Sequence, residues 1–307
     1  KLQEKGLTKT ILEELEKLYK EAKKEKKQDE LIKIILYQVK YESMITEDSH
    51  AKVIKRIRQE IKEMPEPGAS ILSSILGNFL WQYYQYNRYT ISQRSETIEV
   101  DDLDINTWDL NTLITKTADH YRASLKSPEI LKKTKIDAYD LILTQGNSRD
   151  IRPTLYDFIT HLALEFFSSE ESSLIQPAYK FELRDPILFG SPGDFAAATI
   201  TTRDTASFKY QALLLLQDLT AFHLADKDPT ALIHCDLERL KFVRRHGVEM
   251  EVDGLYIKAL SSLEEQYRDY PASGQVGYEM ASFYNEQGNK YHPFTNKELK
   301  GAKAKAH

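Results

Sequence analysis

The chain has 307 residues, which is enough for one or two domains with a sizeable core. Its 42 Lys and Arg residues against 47 Asp and Glu residues give a net charge of −5, which argues against strong non-specific attraction to nucleic acid or to an anionic membrane. A single cysteine, Cys235, excludes a disulfide within the chain and a multi-cysteine metal site.

Hydrophobic periodicity predicts four helices in the first part of the chain. The first follows a capping box at Thr10–Glu13, and the second begins at Asp29. The third is capped by Ser49 and ends before Pro65, because proline clashes with the preceding turn. The fourth, Ile71–Tyr84, has a wide apolar face, so we expect it to be buried between neighbours. Short turns between these helices favour antiparallel helical hairpins.

Two stretches interrupt the helical pattern. Residues 88–109 contain the segments Tyr89–Ser92 and Glu96–Val100, which alternate weakly and indicate a short hairpin or an ordered loop. Residues 172–205 exceed the usual loop length, which makes them either a functional excursion or the seam between two helical halves. Both stretches are predicted to be non-helical.

Helical spacing returns between the two interruptions and after the second one. It covers Leu110–Tyr121, and Pro153 is predicted to be the first residue of a further helix. The last third of the chain is predicted to be helical over 207–225, 229–246, 253–269 and 273–288.

These last helices fit part of a tetratricopeptide frame, a 34-residue helix–turn–helix repeat with a proline near the end of its second helix. With Pro271 at that terminal position, Ala259 and Leu263 fall on packing sites of the preceding helix. Packing and turn sites of the next helix fall on Met280, Ala281, Tyr284 and Gly288. Earlier hairpins do not keep the 34-residue spacing.

The predicted fold is therefore all-α: an irregular tetratricopeptide-like stack of helical hairpins, or α-solenoid, with two non-helical excursions at 88–109 and 172–205. We expect a single elongated helical-repeat domain over residues 1–307. The alternative is a seam at 172–205 that separates 1–171 from 206–307.

An acidic stretch invites a calcium hypothesis. Asp102, Asp104 and Asn106 have the spacing of the first oxygen ligands of a calcium loop. Thr107 stands where that loop needs Gly, and Leu113 stands where it needs a bidentate Glu. We therefore interpret the stretch as an acidic loop that leads into a helix capped near Thr107 or Asp109.

A zinc hypothesis rests on His223, His234, Cys235 and His246. A helix break at Asp228–Pro229 separates the first two histidines, and Cys235 lies among apolar residues as a buried side chain would. Nothing in this spacing resembles a closed tetrahedral site.

Other candidate groups are better explained by packing or solvation. The sequence contains an aromatic cluster of Trp81, Tyr83, Tyr84, Tyr86 and Tyr89. Trp81 and Tyr83 lie on different sides of their helix, and Tyr83 and Tyr84 continue the core stripe, so packing is favoured over ligand stacking. The charged groups around Arg152–Asp157, the pair Glu96 and Glu99, and the adjacent Glu264 and Glu265 supply no nucleophile with a neighbouring base.

The sequence also lacks a Gly-rich phosphate loop, a Gly-x-Ser-x-Gly elbow and a His-Glu-x-x-His pair. We assign no catalytic, cofactor-binding or metal-ligating residue, and we expect no cofactor and no enzymatic activity.

Several sequence blocks together resemble a known family. In chain order they are Trp81–Arg88, Thr107–Leu110, Arg152–Phe158, Gln176–Leu183, Phe208–Leu213 and Tyr284–Tyr291. They resemble the N-terminal helical region of the very large alpha-2-macroglobulin-like proteins of Bacteroidetes, and the resemblance covers essentially the whole chain.

The resemblance implies export to the periplasm or cell envelope, with the signal segment and the macroglobulin domains outside this segment. The family's trapping chemistry uses a Cys-x-Glu-Gln thioester, whereas the single cysteine here stands in Cys235–Glu238, which has no Glu-Gln pair in position. No thioester role, and no other functional residue of the family, carries over to this chain.

We therefore expect a non-catalytic protein-interaction or scaffold module, related to protease inhibitors through that resemblance. Its partner would be another protein or the downstream domains of the same polypeptide, with neither nucleic-acid binding nor membrane insertion. The alternative is a carbohydrate-binding helical-repeat protein that uses exposed aromatic side chains, and an enzyme with convergent distant carboxylates ranks last.

Overall fold

The computed structural model describes residues 7–45, 49–94, 104–144, 146, 149–169 and 181–306. Within those ranges the protein is all-α, as the periodicity predicted, and it contains no β-strand beyond the isolated bridges Lys135–Thr154 and Leu183–Gly247. The chain forms two compact units, Lys1–Phe166 and Phe167–His307. The expected single elongated domain and the alternative seam at 172–205 both stay predictions.

The first unit is built from helices that follow one another along the chain. They are α1 (Thr8–Glu25), α2 (Gln28–Ser43), α3 (Ser49–Glu63), α4 (Gly68–Ser92), α5 (Leu110–Ser124), α6 (Pro128–Lys133) and α7 (Leu155–Phe167), whose last residue belongs to the second unit. From α1 to α5, each helix packs against the next. This neighbour-to-neighbour packing gives the unit a helical-repeat-like character.

Helix α4 is buried between its neighbours, as its wide apolar face predicted. Gly77 allows the closest approach to α5, because a Cβ atom there would lie 3.3 Å from the ring of Tyr121. The ring of Trp81 stacks on Tyr84 with centroids 5.3 Å apart, and its other neighbour is the edge of Phe166 at 5.0 Å. The packing interpretation of Trp81 and Tyr84 is therefore confirmed.

Two predicted helix starts are wrong by a few residues. Thr10 lies inside α1, which begins at Thr8 after Leu7, and no side chain caps it. Helix α7 begins at Leu155 and not at Pro153. Its start is set by Thr154, whose backbone N–H donates to the Asp157 carboxylate at 2.9 Å, while the Asp157 N–H donates to the Thr154 hydroxyl at 3.3 Å.

The first interruption is shorter than predicted. Helix α4 continues through Ser92, with one non-helical residue at Asn87, so both the predicted hairpin and the predicted ordered loop at Tyr89–Ser92 are wrong. The physical reason is Ile91, which is fully buried two turns after Tyr84 and extends the same apolar stripe. A further 3-10 helix covers Ile105–Thr107. The segment Glu96–Val100 lies outside the described residues.

The second interruption also contains helix. A 3-10 helix covers Pro186–Phe189, and α8 covers Pro192–Ala197. Each begins with a proline, whose fixed φ suits a first helical turn. The expectation of a wholly non-helical 172–205 is wrong for these residues, and 172–180 lies outside the described residues.

Four further helices of the second unit match the predicted ones to within about two residues. They are α9 (Phe208–His223), α10 (Thr230–His246), α11 (Val252–Tyr267) and α12 (Gly274–Asn289), and they are followed by the short helix α13 (Ala302–Lys305), which was not predicted. Helix α10 is central, because α9, α11, α12 and the 3-10 helices Pro186–Phe189 and Pro271–Ser273 all pack against it. No helix among the described residues is both long and apolar enough to cross a bilayer.

Candidate functional site

A groove of about 460 Å³ lies in the second unit between α10, the 3-10 helix Pro271–Ser273 and the start of α12. Its apolar surface comes from Leu237, Pro271 and Tyr278. Its charged surface comes from Glu238, Lys241 and Glu279. The groove therefore combines an apolar contact area with charged side chains.

The two helices present these residues because of their spacing. His234, Leu237 and Lys241 are three and four residues apart, so they share one face of α10. Gly274 and Tyr278 are four apart on α12. Since no atom lies within 4 Å of a Cβ built at Gly274, the groove is open at this end.

One ion pair connects the two sides of the groove, and a second lies within α10. Nζ of Lys241 on α10 lies 2.6 Å from Oε1 of Glu279 on α12 and 3.4 Å from Oε1 of Glu238. Burial lowers the pKa of Lys241, but the hydrogen bond to Glu279 and the charge of Glu238 outweigh it, so the pKa is raised. Two carboxylates against one ammonium group leave this surface with a net negative charge.

Tyr278 projects from the groove into solvent. Its side chain is 71% exposed, and several other aromatic side chains on the surface of this protein are exposed as well. A tyrosine in such a position contributes a large contact area and a hydroxyl group at small conformational cost. It is the side chain of the groove that is best placed to contact a partner.

The structure does not bring the zinc candidates together. Nδ1 of His223 lies 2.7 Å from Oδ2 of Asp226, and Cys235 is fully buried. Burial lowers the pKa of His246 to about 4, and the charges of Lys209 and Arg245 add to that shift. Across the part of the chain that the structure describes, no three His, Cys, Asp or Glu side chains are grouped to hold a metal ion.

In the acidic stretch, the residues that the structure describes cap the starts of two helices. The Asp104 carboxylate accepts from the Asn106 N–H at 3.0 Å and caps a 3-10 helix. The Asp109 carboxylate accepts from the Thr112 N–H at 2.7 Å and caps α5, as the sequence predicted. The calcium candidate Asp102, like Glu96 and Glu99, lies outside the described residues.

The remaining candidates separate into buried and exposed groups. Trp81, Tyr83 and Tyr84 are buried, whereas Tyr86 and Tyr89 are 86% and 82% exposed, so the packing interpretation is wrong for these two tyrosines. Asp157 is buried at the start of α7. On the surface of α11, the carboxylate of Glu264 pairs with Arg268, and Glu265 is exposed.

Comparison with known proteins does not assign this chain to a family. No protein-family model matches the sequence, and no curated protein or solved structure is detectably similar to it. The function must therefore be inferred from the chain itself.

Sequence reasoning missed one buried pair on the central helix. Asp236 and Arg239 are each 1% exposed, and Oδ1 of the aspartate lies 2.7 Å from Nη2 of the arginine. Burial raises the pKa of Asp236, and the charge of Arg239 opposes that rise. The available signal was an i, i+3 pair of opposite charges inside the apolar stripe formed by Ile233, Leu237 and Leu240.

Proposed function

We propose that this protein is a non-catalytic interaction module that binds a segment of a partner protein in the groove between α10 and α12. The observation that carries the proposal is Tyr278, 71% exposed at the edge of an apolar groove. A protruding tyrosine beside a cleft is a typical anchor in protein recognition. The partner segment would have apolar side chains that pack against Leu237 and Pro271. It would also have basic side chains that pair with the excess carboxylate charge.

The helical-repeat-like character of the chain supports the same proposal. Stacked helical hairpins of the tetratricopeptide type offer extended surfaces and grooves for protein ligands. Leu263, one predicted packing site, is buried, whereas Met280, Ala281, Tyr284 and Gly288 are half-buried. We propose a tetratricopeptide-like arrangement with an irregular repeat length.

The sequence blocks that resemble macroglobulin-like proteins supply the proposed setting. In that setting the chain is exported to the cell envelope, and its partner is an envelope protein or a downstream part of the same polypeptide. The resemblance brings no catalytic residue with it, which is consistent with a binding role.

Capture of partners from envelope extract on the immobilised chain tests the proposal, with bound proteins identified by mass spectrometry. The informative variant is Tyr278→Ser, and its matched control is Tyr86→Ser, which removes a tyrosine of the first unit that is 86% exposed. We expect the native chain and Tyr86→Ser to retain one specific protein that Tyr278→Ser loses. Equal recovery by both variants would contradict the groove as the binding site.

Carbohydrate binding is the second candidate, and a different observation favours it. Tyr86 and Tyr89 are both exposed near the C-terminal end of α4, one before and one after the kink at Asn87. Exposed aromatic rings stack well on sugars because one face of a sugar ring is apolar. A glycan array that gives signals lost in Tyr86→Ser and kept in Tyr278→Ser would favour this function over protein binding.

A further inference from the structure

A second cavity, of about 290 Å³, lies in the second unit and is separate from the groove. It is bounded by the segment 186–192, by α10 and by α11. The two sites use different sides of α10: Asp236 and Arg239 line the cavity, and Leu237 and Lys241 line the groove. The volume of the cavity is at the lower end of the range for small-molecule sites, so its ligand would be small.

The walls of the cavity are largely apolar. On α11 they are formed by residues four positions apart, which share one face of the helix: Leu255, Ala259 and Leu263. Phe189 and Pro192 of the facing segment complete them. Both of these side chains are buried, as is Leu263, so the walls are in place without a ligand. A molecule with an apolar body gains free energy by covering the wall surface that is still open to water.

A row of polar residues runs beside the apolar row on the same helix. Lys258, Ser262 and Gln266 are also four positions apart, and all three line the cavity and are exposed. In the part of the chain that the structure describes, Lys258 forms no ion pair with an acidic side chain. Its ammonium group is therefore available to a ligand, and the Ser262 hydroxyl is a second donor on the same edge.

The α10 side of the cavity adds no net charge. Asp236 and Arg239 are each 1% exposed, and Oδ1 of the aspartate lies 2.7 Å from Nη2 of the arginine. Nη1 of Arg239 donates to the Leu188 carbonyl at 2.8 Å, and its guanidinium group lies 4.8 Å from the centre of the Phe195 ring. Protein groups thus hold and cover this pair, which leaves the ammonium group of Lys258 as the charge that a ligand meets.

We propose that this cavity binds a small monocarboxylate with an apolar body. The carboxylate pairs with the ammonium group of Lys258 and accepts from the Ser262 hydroxyl, while the body packs against the apolar walls. One negative charge matches the one exposed positive charge. A neutral head group loses the ion pair, and a phosphate dianion brings a second negative charge near the carboxylate of Asp236.

Three probes with the same phenyl ring and different head groups test the proposal on the full chain: 3-phenylpropanoate, 3-phenylpropanamide and 2-phenylethyl phosphate. Binding is measured at about pH 8, where the phosphate is a dianion, by titration followed with ligand-observed NMR. We expect the carboxylate to bind at least about fivefold more tightly than the amide, because a hydrogen bond between charged groups is stronger than a neutral one. It should also bind more tightly than the phosphate.

A charge variant identifies the group that recognises the carboxylate. Lys258→Gln removes the positive charge, and its matched control is Lys227→Gln, at an exposed lysine of the second unit that does not line the cavity. We expect Lys258→Gln to weaken carboxylate binding at least about fivefold and to leave amide binding unchanged, so that the two probes bind about equally. Lys227→Gln should keep the preference for the carboxylate. Equal carboxylate affinities of the two variants would overturn the proposal.

Two further variants on α11 locate the bound probe. Ser262 lines the cavity and Ser261 does not, and both side chains are exposed, so tryptophan at either position should leave the fold intact. We expect Ser262→Trp to abolish binding of the carboxylate and Ser261→Trp to retain it. Equal behaviour of these two variants, an amide or phosphate that binds as tightly as the carboxylate, or no carboxylate binding up to its solubility limit would each contradict the proposed site.

Discussion

The hydroxyl group of Tyr19 lies 3.0 Å from both carboxylate oxygens of Glu60, a residue 41 positions further along the chain. Glu60 is buried, and its Oε1 also lies 3.0 Å from Nη2 of Arg56. The Arg56 guanidinium group in turn lies 5.1 Å from the centre of the Tyr19 ring. These three side chains form a polar cluster that joins α1 to α3 in the first unit, and the Tyr19 hydroxyl also accepts from Nζ of Lys23 at 3.2 Å.

Removing the Tyr19 hydroxyl should destabilise the first unit. Tyr19→Phe keeps the ring over Arg56 but takes a donor away from a buried carboxylate. Because hydrogen bonds to charged groups are worth more than neutral ones, we expect a loss of about 1.5–3 kcal/mol in the free energy of unfolding. Chemical denaturation followed by circular dichroism measures this loss.

Tyr37→Phe is the matched control for this variant. Tyr37 is 41% exposed and stacks on Tyr41, so the loss of its hydroxyl should change the unfolding free energy by less than about 0.5 kcal/mol. Equal effects of Tyr19→Phe and Tyr37→Phe would show that the cluster does not stabilise the unit.

Sequence periodicity predicted the structural features that depend on residues close together in the chain. It did not predict the features that depend on contacts with residues far away in the chain. The C-terminal helices and the Asp109 cap follow from local patterns, so both were predicted. The end of α4 depends on the burial of Ile91, and the cluster at Glu60 depends on a partner from another helix. Charged residues at Asp236 and Arg239 resemble a solvated surface pair until the packing around α10 is known.

Gly77 should be intolerant of larger side chains because α5 is so close. A Cβ atom at this position would lie 3.3 Å from the ring of Tyr121, which itself stacks on Phe166 at 5.3 Å. Gly77→Val therefore forces the ring or the helix to move, and we expect a destabilisation of about 1–3 kcal/mol. Gly277→Val is the control, since nothing lies within 4 Å of its Cβ position on α12. A Gly77→Val variant as stable as Gly277→Val would mean that α4 and α5 separate without cost.

The Asp109 side chain should contribute measurably to the start of α5. Its carboxylate accepts from the Thr112 N–H at 2.7 Å, so Asp109→Ala leaves that N–H without its cap and should cost about 1 kcal/mol, within a usual range of 0.5–2. Asp119→Ala, on the exposed surface of the same helix, removes only a surface ion pair with Arg122 and should cost less. Comparison of the two thermal unfolding midpoints checks the prediction, which fails if Asp119→Ala is the more damaging change.

His246 should make the second unit sensitive to mild acid. Its folded-state pKa is about 4 because burial, followed by the charges of Lys209 and Arg245, disfavours the imidazolium. In the unfolded chain the pKa returns to about 6.5, so between these values the unfolded state binds more protons than the folded state. The contribution of His246 is therefore complete above about pH 6.5 and is lost as the pH falls toward 4, by at most about 1.4 kcal/mol per pH unit.

His246→Gln isolates this contribution, because glutamine does not titrate. We expect the difference in unfolding free energy between the native chain and His246→Gln to shift against the native chain when the pH is lowered from 7 to 5. The control His292→Gln makes the same substitution at an exposed histidine. A constant difference for His246→Gln across this range would mean that the imidazole is as easily protonated in the folded protein as in the unfolded chain. In that case burial beside Phe242, whose ring centroid lies 4.8 Å away, would not exclude the charged form.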